Sequence, residues 1–258
     1  MKLSSIHTLI ALLALLIYSS TSVAQEESDH YMGYIIWEDV VFPSGVKAYE
    51  EMTKKQMLLY KDESFPHRVD VYSTSDFIYY WVFQVDNYAD IDTLYMDFNK
   101  IYQHVPDRVN EINDGFVGTH ESTLSWTCYF DRELSYKPSE QVQSEDAKPF
   151  MSLGFCYPKK GSMDEAREVM KGYVRLATEK KVKLGWDTYI GDMGVETPML
   201  FWASFTKDAG EFYSLNSADF DLMGDRADEL WNELISLMRK YEEKSGWYRK
   251  DLSYHPAN

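Results

Sequence analysis

The chain says one phrase twice. Glu133-Leu134-Ser135-Tyr136-Lys137-Pro138, near the middle, returns as Asp251-Leu252-Ser253-Tyr254-His255-Pro256, near the end. Leu134/Leu252, Ser135/Ser253, Tyr136/Tyr254 and Pro138/Pro256 all stand 118 positions apart. The same offset lays Ser44, Ala48, Glu50, Met52 and Leu58 on Ser162, Ala166, Glu168, Met170 and Leu176. It also lays Asp107-Arg108-Val109-Asn110-Glu111-Ile112 on Asp225-Arg226-Ala227-Asp228-Glu229-Leu230. One spacing that recurs in three separated stretches predicts two copies of a single structural unit.

Each copy reads as the same series of elements. In the first, Tyr31–Trp37 is aromatic and β-branched and predicts a strand, and Val46–Tyr60 carries an amphipathic helical pattern behind Ser44. A strand is expected from His67 to Tyr72, a turn at Ser73–Asp76 and an apolar strand from Phe77 to Val85. Helical pattern follows over Tyr88–Val105 and, after Pro106, over Asp107–Ile112, and the last strand lies within Thr123–Tyr136. The polar stretch Ser139–Lys148 reads as a linker. The second copy repeats the order with strands at Phe150–Tyr157, Trp186–Tyr189, Met199–Phe205 and Trp247–Tyr254. Its helical patterns span Ser162–Thr178, continuing towards Lys181, then Glu211–Asn216 and Arg226–Tyr241. The fold class is therefore α+β, a tandem β-α-β-β-α-β unit of ferredoxin-like type. The units are expected at 25–138 and 149–258.

The apolar runs Phe77–Phe83 and Pro198–Ala203 have no polar face, so both faces of each sheet should be buried. Stacking the two helix-free faces on each other achieves this. In that respect the chain resembles the dimeric α/β-barrel superfamily in tandem form, which includes NIPSNAP-like proteins and the antibiotic-biosynthesis type of monooxygenase. The resemblance spans residues 31–255 and is architectural. It implies a ligand site between helices and sheet or inside the barrel. Haem-degrading relatives use a helix His, a strand Trp and a first-strand Asn. His104 and Trp81 match the first two, while the first strand has no Asn and position 222, equivalent to His104, is Leu.

Residues 1–24 read as a signal peptide: Lys2, an apolar run from Leu9 to Tyr18, then Ser22-Val23-Ala24 before Gln25. The apolar run is too short to cross a bilayer as a helix, which takes roughly 20 residues. Export is expected, periplasmic or secreted, with no membrane span left after cleavage. Lys+Arg number 26 against 42 Asp+Glu, a net charge of −16, and losing the leader removes Lys2 alone. So acidic a surface repels phosphate backbones and argues against nucleic-acid partners. Cys128 and Cys156 lie in strand-like runs. An oxidising compartment permits a bridge between them, although two buried free thiols are the favoured reading.

The candidate ligand-binding residues are the repeat pairs Asp70/Asp187, Tyr72/Tyr189 and Trp81/Trp202. On an alternating strand Asp70 and Tyr72 share a face, and His67 faces the other way. A strand carboxylate kept in both copies could hold a ligand or act as a base if buried with a raised pKa; otherwise each Asp makes a structural hydrogen bond or sits at a solvated strand end. Glycine-rich phosphate loops, HExxH and GxSxG are absent, and the His residues have no metal spacing, so neither cofactor nor metal is expected. The favoured functional reading is an exported, non-catalytic small-molecule-binding or interaction protein. The alternative is a cofactor-independent monooxygenase- or isomerase-like enzyme acting on an aromatic or quinone-type molecule in the barrel cavity. A third class, a structural partner in an envelope complex, would show a large exposed apolar patch. A buried Asp70 or Asp187 facing a real pocket would favour the enzyme; a filled interface with both carboxylates in solvent would favour binding or structure.

Overall fold

A computed structural model describes residues 33–138 and 149–256. The expected signal peptide and linker lie outside the described residues. The first half runs β1 (Gly33–Val41), α1 (Val46–Asp62), β2 (Asp70–Thr74), β3 (Ile78–Val85), α2 (Tyr88–His104), α3 (Pro106–Phe116) and β4 (His120–Tyr136). The second runs β5 (Phe150–Pro158), α4 (Met163–Lys180), β6 (Trp186–Gly191), β7 (Met199–Thr206), α5 (Ala209–Met223), α6 (Asp225–Leu237) and β8 (Met238–Tyr248). Local chemistry sets several of these limits. Asn87 and Asp90 form a capping box that starts α2, Pro106 opens α3 with its φ already helical, and the Asp208 carboxylate caps α5 by accepting from Glu211 N–H.

The strands close a barrel in the order β1-β3-β2-β8-β5-β7-β6-β4, every neighbouring pair antiparallel. Each half contributes its strands in the ferredoxin-like order fourth-first-third-second. A step of four strands around the ring carries β1 onto β5, β2 onto β6, β3 onto β7 and β4 onto β8. It also preserves strand direction, so an approximate twofold axis runs along the barrel. Closure leaves no exposed sheet edge to be shielded. One apolar cluster lies between the sheet and the helices in each half, and a third, with Ile36, Tyr80, Trp126, Phe155 and Phe201, lines the barrel interior.

The repeated phrase has a structural task. Leu134 and Leu252 are wholly buried. Ser135 Oγ donates to Asp131 O (2.7 Å) and accepts from Thr188 N–H (2.8 Å); Ser253 Oγ donates to Arg249 O (2.8 Å) and accepts from Val71 N–H (2.9 Å). Tyr136 donates to Val182 O and Tyr254 to Phe65 O. Each copy therefore fastens the end of one half's fourth strand to the second strand of the other half. That joint is where the ring closes.

The structure corrects some boundaries. β2 begins at Asp70, not His67, and runs through Ser73 and Thr74. The last helix stops at Leu237, and Met238–Tyr241, expected to be helical, open β8, because pairing with β5 from Pro158 onward engages this stretch. Of the expected final strand only Trp247 and Tyr248 are strand; Lys250–Leu252 form a 3-10 turn and Tyr254 bridges to Val69. No helix among the described residues is long and apolar enough to cross a membrane.

Candidate functional site

Inside the barrel is a cavity of about 360 Å³. Its walls are aromatic: Tyr189 stacks on Phe201 (5.0 Å between centroids), Phe201 on Phe155 (5.2 Å), and Trp126 meets Phe201 edge-on. Asp70 and Asp187 both line it. They stand at the starts of β2 and β6, Asp70 as the first residue and Asp187 as the second, on parallel strands related by the approximate twofold, so the two carboxylates flank the same mouth from opposite sides. Tyr72 and Tyr189 follow them one inward position deeper, as alternation requires.

The two carboxylates have different surroundings. Asp70 is gripped by Arg68, with Nε–Oδ2 at 2.7 Å and Nη2–Oδ1 at 3.1 Å. His255 Nε2 stands 2.9 Å from Asp70 Oδ1, and the Tyr248 hydroxyl bonds to that same oxygen at 3.2 Å. Across the mouth Asp187 faces Lys137 at 3.5 Å, and the ammonium also lies over the Phe130 ring. Lys137 and His255 are equivalent residues of the repeated phrase, and each reaches a carboxylate of the other half. Burial pushes the Tyr189 phenol well above its usual range, so it stays protonated.

Trp81 and Trp202 do not join this group. Trp81 pairs with Val71, out of phase with Asp70 and Tyr72, and so points to the helices, where Nε1 donates to the Tyr49 hydroxyl at 2.6 Å. Trp202 packs over Gly154 and stacks on Tyr241 at 6.0 Å; it helps to line a second cavity of about 120 Å³ beneath α4, α5 and α6. In the first half Phe65, whose counterpart is Val182, stacks on both Tyr60 and Phe98. His67 pairs with Asp97 of α2 at 2.8 Å, and His104 with Glu63 at 2.6 Å, so His104 and Trp81 form no common site. Cys128 and Cys156 are buried free thiols on opposite faces of the sheet, one inside the barrel and one under the helices.

Sequence reasoning missed Arg68, Lys137, Tyr248 and Glu38. Glu38 stands in β1 where the second half has Phe155, and it faces the far end of the barrel. Burial raises its carboxyl above the usual range, opposed by a hydrogen bond from Trp126 Nε1 at 3.2 Å.

A closed antiparallel barrel of two ferredoxin-like halves around a polar-mouthed aromatic cavity defines the class: a dimeric α/β barrel built within one chain. Several solved structures share it. An anthrone oxidase-like protein superposes with TM-score 0.59 at 10% identity, covering 86% of this chain and 92% of that one. A “putative monooxygenase” from Fusobacterium nucleatum gives 0.56 at 10% identity, over 86% and 94%, and another from Lactobacillus acidophilus gives 0.52 at 9%, over 88% and 97%. No protein-family model matches the chain, and no curated protein does. At such identities the likeness establishes the fold.

The favoured expectation of a non-catalytic binding protein is corrected here. The structures that share the fold carry oxidase and monooxygenase names, and Asp70 and Asp187, both half-buried, line a real cavity.

Proposed function

We propose that this chain is a cofactor-independent, monooxygenase-like enzyme of the antibiotic-biosynthesis type. Its substrate is a planar aromatic molecule carrying an acidic C–H conjugated to a carbonyl. The observation that carries this reading is the pair of strand carboxylates at the mouth of an aromatic cavity whose volume falls within the roughly 300–1,000 Å³ of small-molecule sites. The rings of Tyr189, Phe201, Phe155 and Trp126 hold the substrate plane, and Tyr72 closes the wall near the mouth. Asp187 takes the proton: Lys137 stands 3.5 Å away on an exposed stem, whereas the Arg68 fork holds both oxygens of Asp70. Losing the proton leaves a conjugated carbanion, electron-rich enough to reduce dioxygen directly. In balance, a CH2 group and O2 become a C=O group and water, so the substrate supplies the electrons.

Anthrone is a suitable probe. The purified chain should consume one O2 per anthrone oxidised, and Asp187→Asn should lower the rate by about 100-fold, as expected for a lost general base. Proton exchange without oxygen uptake would make the enzyme isomerase-like. Neither binding nor exchange would end the enzyme reading.

The recurring offset and the matched strand order of the halves support an origin by tandem duplication of one unit. The leader-like residues 1–24 support export, which N-terminal sequencing of the mature protein from its host would test by a start at Gln25.

A further inference from the structure

The approximate twofold makes the two sides of the mouth comparable position by position, and they differ in chemistry. On the Asp70 side stand Arg68, Tyr248 and His255; at the equivalent positions on the Asp187 side stand Gly185, Phe130 and Lys137. The rings of Tyr248 and Phe130 are placed alike, packing against Tyr72 at 5.3 Å and Tyr189 at 5.8 Å. Packing alone is therefore satisfied by phenylalanine. The hydroxyl that Tyr248 adds lies against the cavity, bonded to Asp70 Oδ1 at 3.2 Å and to His255 Nε2 at 3.3 Å.

We infer that Tyr248 is a catalytic residue of the proposed reaction, its hydroxyl turning its one proton from Asp70 Oδ1 to the substrate carbonyl oxygen as that oxygen becomes an enolate. The inference rests on the enzyme reading above and extends it. When the C–H bond breaks, the proton forms an O–H bond on Asp187, and the electron pair moves through the conjugated ring to the carbonyl oxygen. The donor for that oxygen must stay protonated and face the cavity from the side away from the base. Tyr248 meets both demands: burial, assisted by the Asp70 charge, pushes its phenol up to about 12. A positioned donor aimed at developing charge in a water-poor site is the strongest kind of contribution a single side chain makes. Arg68, Asp70, Ser253 and His255 are the polar groups around the hydroxyl. His255 is half exposed and stands 2.9 Å from the Asp70 oxygen to which the hydroxyl donates, so it competes for that oxygen and helps the hydroxyl to turn. It is a positioning residue.

The substrate class follows from the geometry. Base and donor stand on opposite sides of the barrel axis, so the acidic C–H and the carbonyl should lie at opposite edges of one ring. A ketone with its methylene across the central ring fits this demand, and an ortho-related pair does not.

The test uses anthrone without oxygen, reading deuterium exchange at its methylene by NMR and binding by quenching of tryptophan emission. Tyr248→Phe installs the residue that the other half already carries, so folding should be preserved. It should leave the anthrone dissociation constant within about threefold and slow exchange by about 100-fold or more, in line with loss of one oxyanion donor. His255→Lys, again the other half's residue, should keep exchange within about tenfold of wild type while changing its pH profile. Exchange at the wild-type rate in Tyr248→Phe would overturn the assignment and leave the enzyme reading standing. A matching loss of binding and exchange would reduce Tyr248 to a binding contact and also overturn it. A wild-type chain that neither binds nor exchanges anthrone would overturn both.

Discussion

Removing one hydroxyl from each copy of the repeated phrase should weaken both joints of the barrel, separately and by similar amounts. In Ser253→Ala the N–H of Val71 loses its acceptor, and in Ser135→Ala the N–H of Thr188 does. Both Val71 and Thr188 are 0% exposed, so solvent does not reach these donors without a local opening of the sheet. A buried donor left without its partner costs about 1–3 kcal/mol. The hydroxyls' own bonds to Arg249 O and Asp131 O disappear as well, but those carbonyls keep a second lone pair for other partners. About 2 kcal/mol for each substitution is the resulting expectation. For a domain of this size that corresponds to roughly 4–8 °C in the thermal midpoint, taking ~2–4 °C per kcal/mol. The joints lie on opposite sides of the ring, so the double variant should lose the sum, within roughly 0.5 kcal/mol. Urea denaturation measures this, with a lowered midpoint and an unchanged slope. A cost below about 0.5 kcal/mol in either single variant would mean that the phrase does not fasten the barrel by these bonds.

Two other perturbations bear on the barrel and its far end. Gly154→Ala would bring a Cβ to within 2.4 Å of the Trp202 ring, and overpacking of this kind costs about 1–3 kcal/mol, measurable by the same denaturation. Glu38 has a raised carboxyl pKa, so the stability it contributes is complete at low pH and is lost as pH rises through its folded value. Glu38→Gln should therefore gain on wild type in thermal midpoint between pH 4 and pH 8, and a constant difference across that range would refute the burial argument.

Much of the barrel was legible because its repeat leaves traces at every level. The 118-residue offset located equivalent helices, and alternation along the second strand put Asp70 with Tyr72 and Asp187 with Tyr189 before any fold was known. Trp81 and Trp202 share the repeat but sit at the other parity, which conservation of a residue type between copies does not reveal. Lys137 and His255 were visible as part of the phrase, yet their reach across to Asp187 and Asp70 exists only once the ring closes. Tyr248 was hidden by a boundary. With Arg226–Tyr241 read as one helix, the strand that aims Tyr248 inward was missing most of its length. Glu38 lay just beyond the apolar run ending at Trp37, where a charge suggests a strand end; in fact β1 continues to Val41.

The proposed function falls where the two copies disagree. Residues serving the fold are held in common: Leu134/Leu252, Ser135/Ser253 and Tyr136/Tyr254 make the same contacts on both sides. Around the cavity the shared pair Asp70/Asp187 gives both sides a carboxylate, which by itself would make the mouth symmetric. A reaction that removes a proton at one edge of a ring and gathers charge at the other needs an asymmetric site. The replacements of Gly185 by Arg68, Phe130 by Tyr248 and Lys137 by His255 supply that asymmetry at one mouth. They set Arg68 and His255 against Asp70 where Lys137 stands against Asp187, and they place the hydroxyl on the side where the carboxylate is already committed to a guanidinium. On the proposed reading, exchanging all three for their counterparts should leave the barrel folded and anthrone bound, while removing the asymmetry that the proposed chemistry needs.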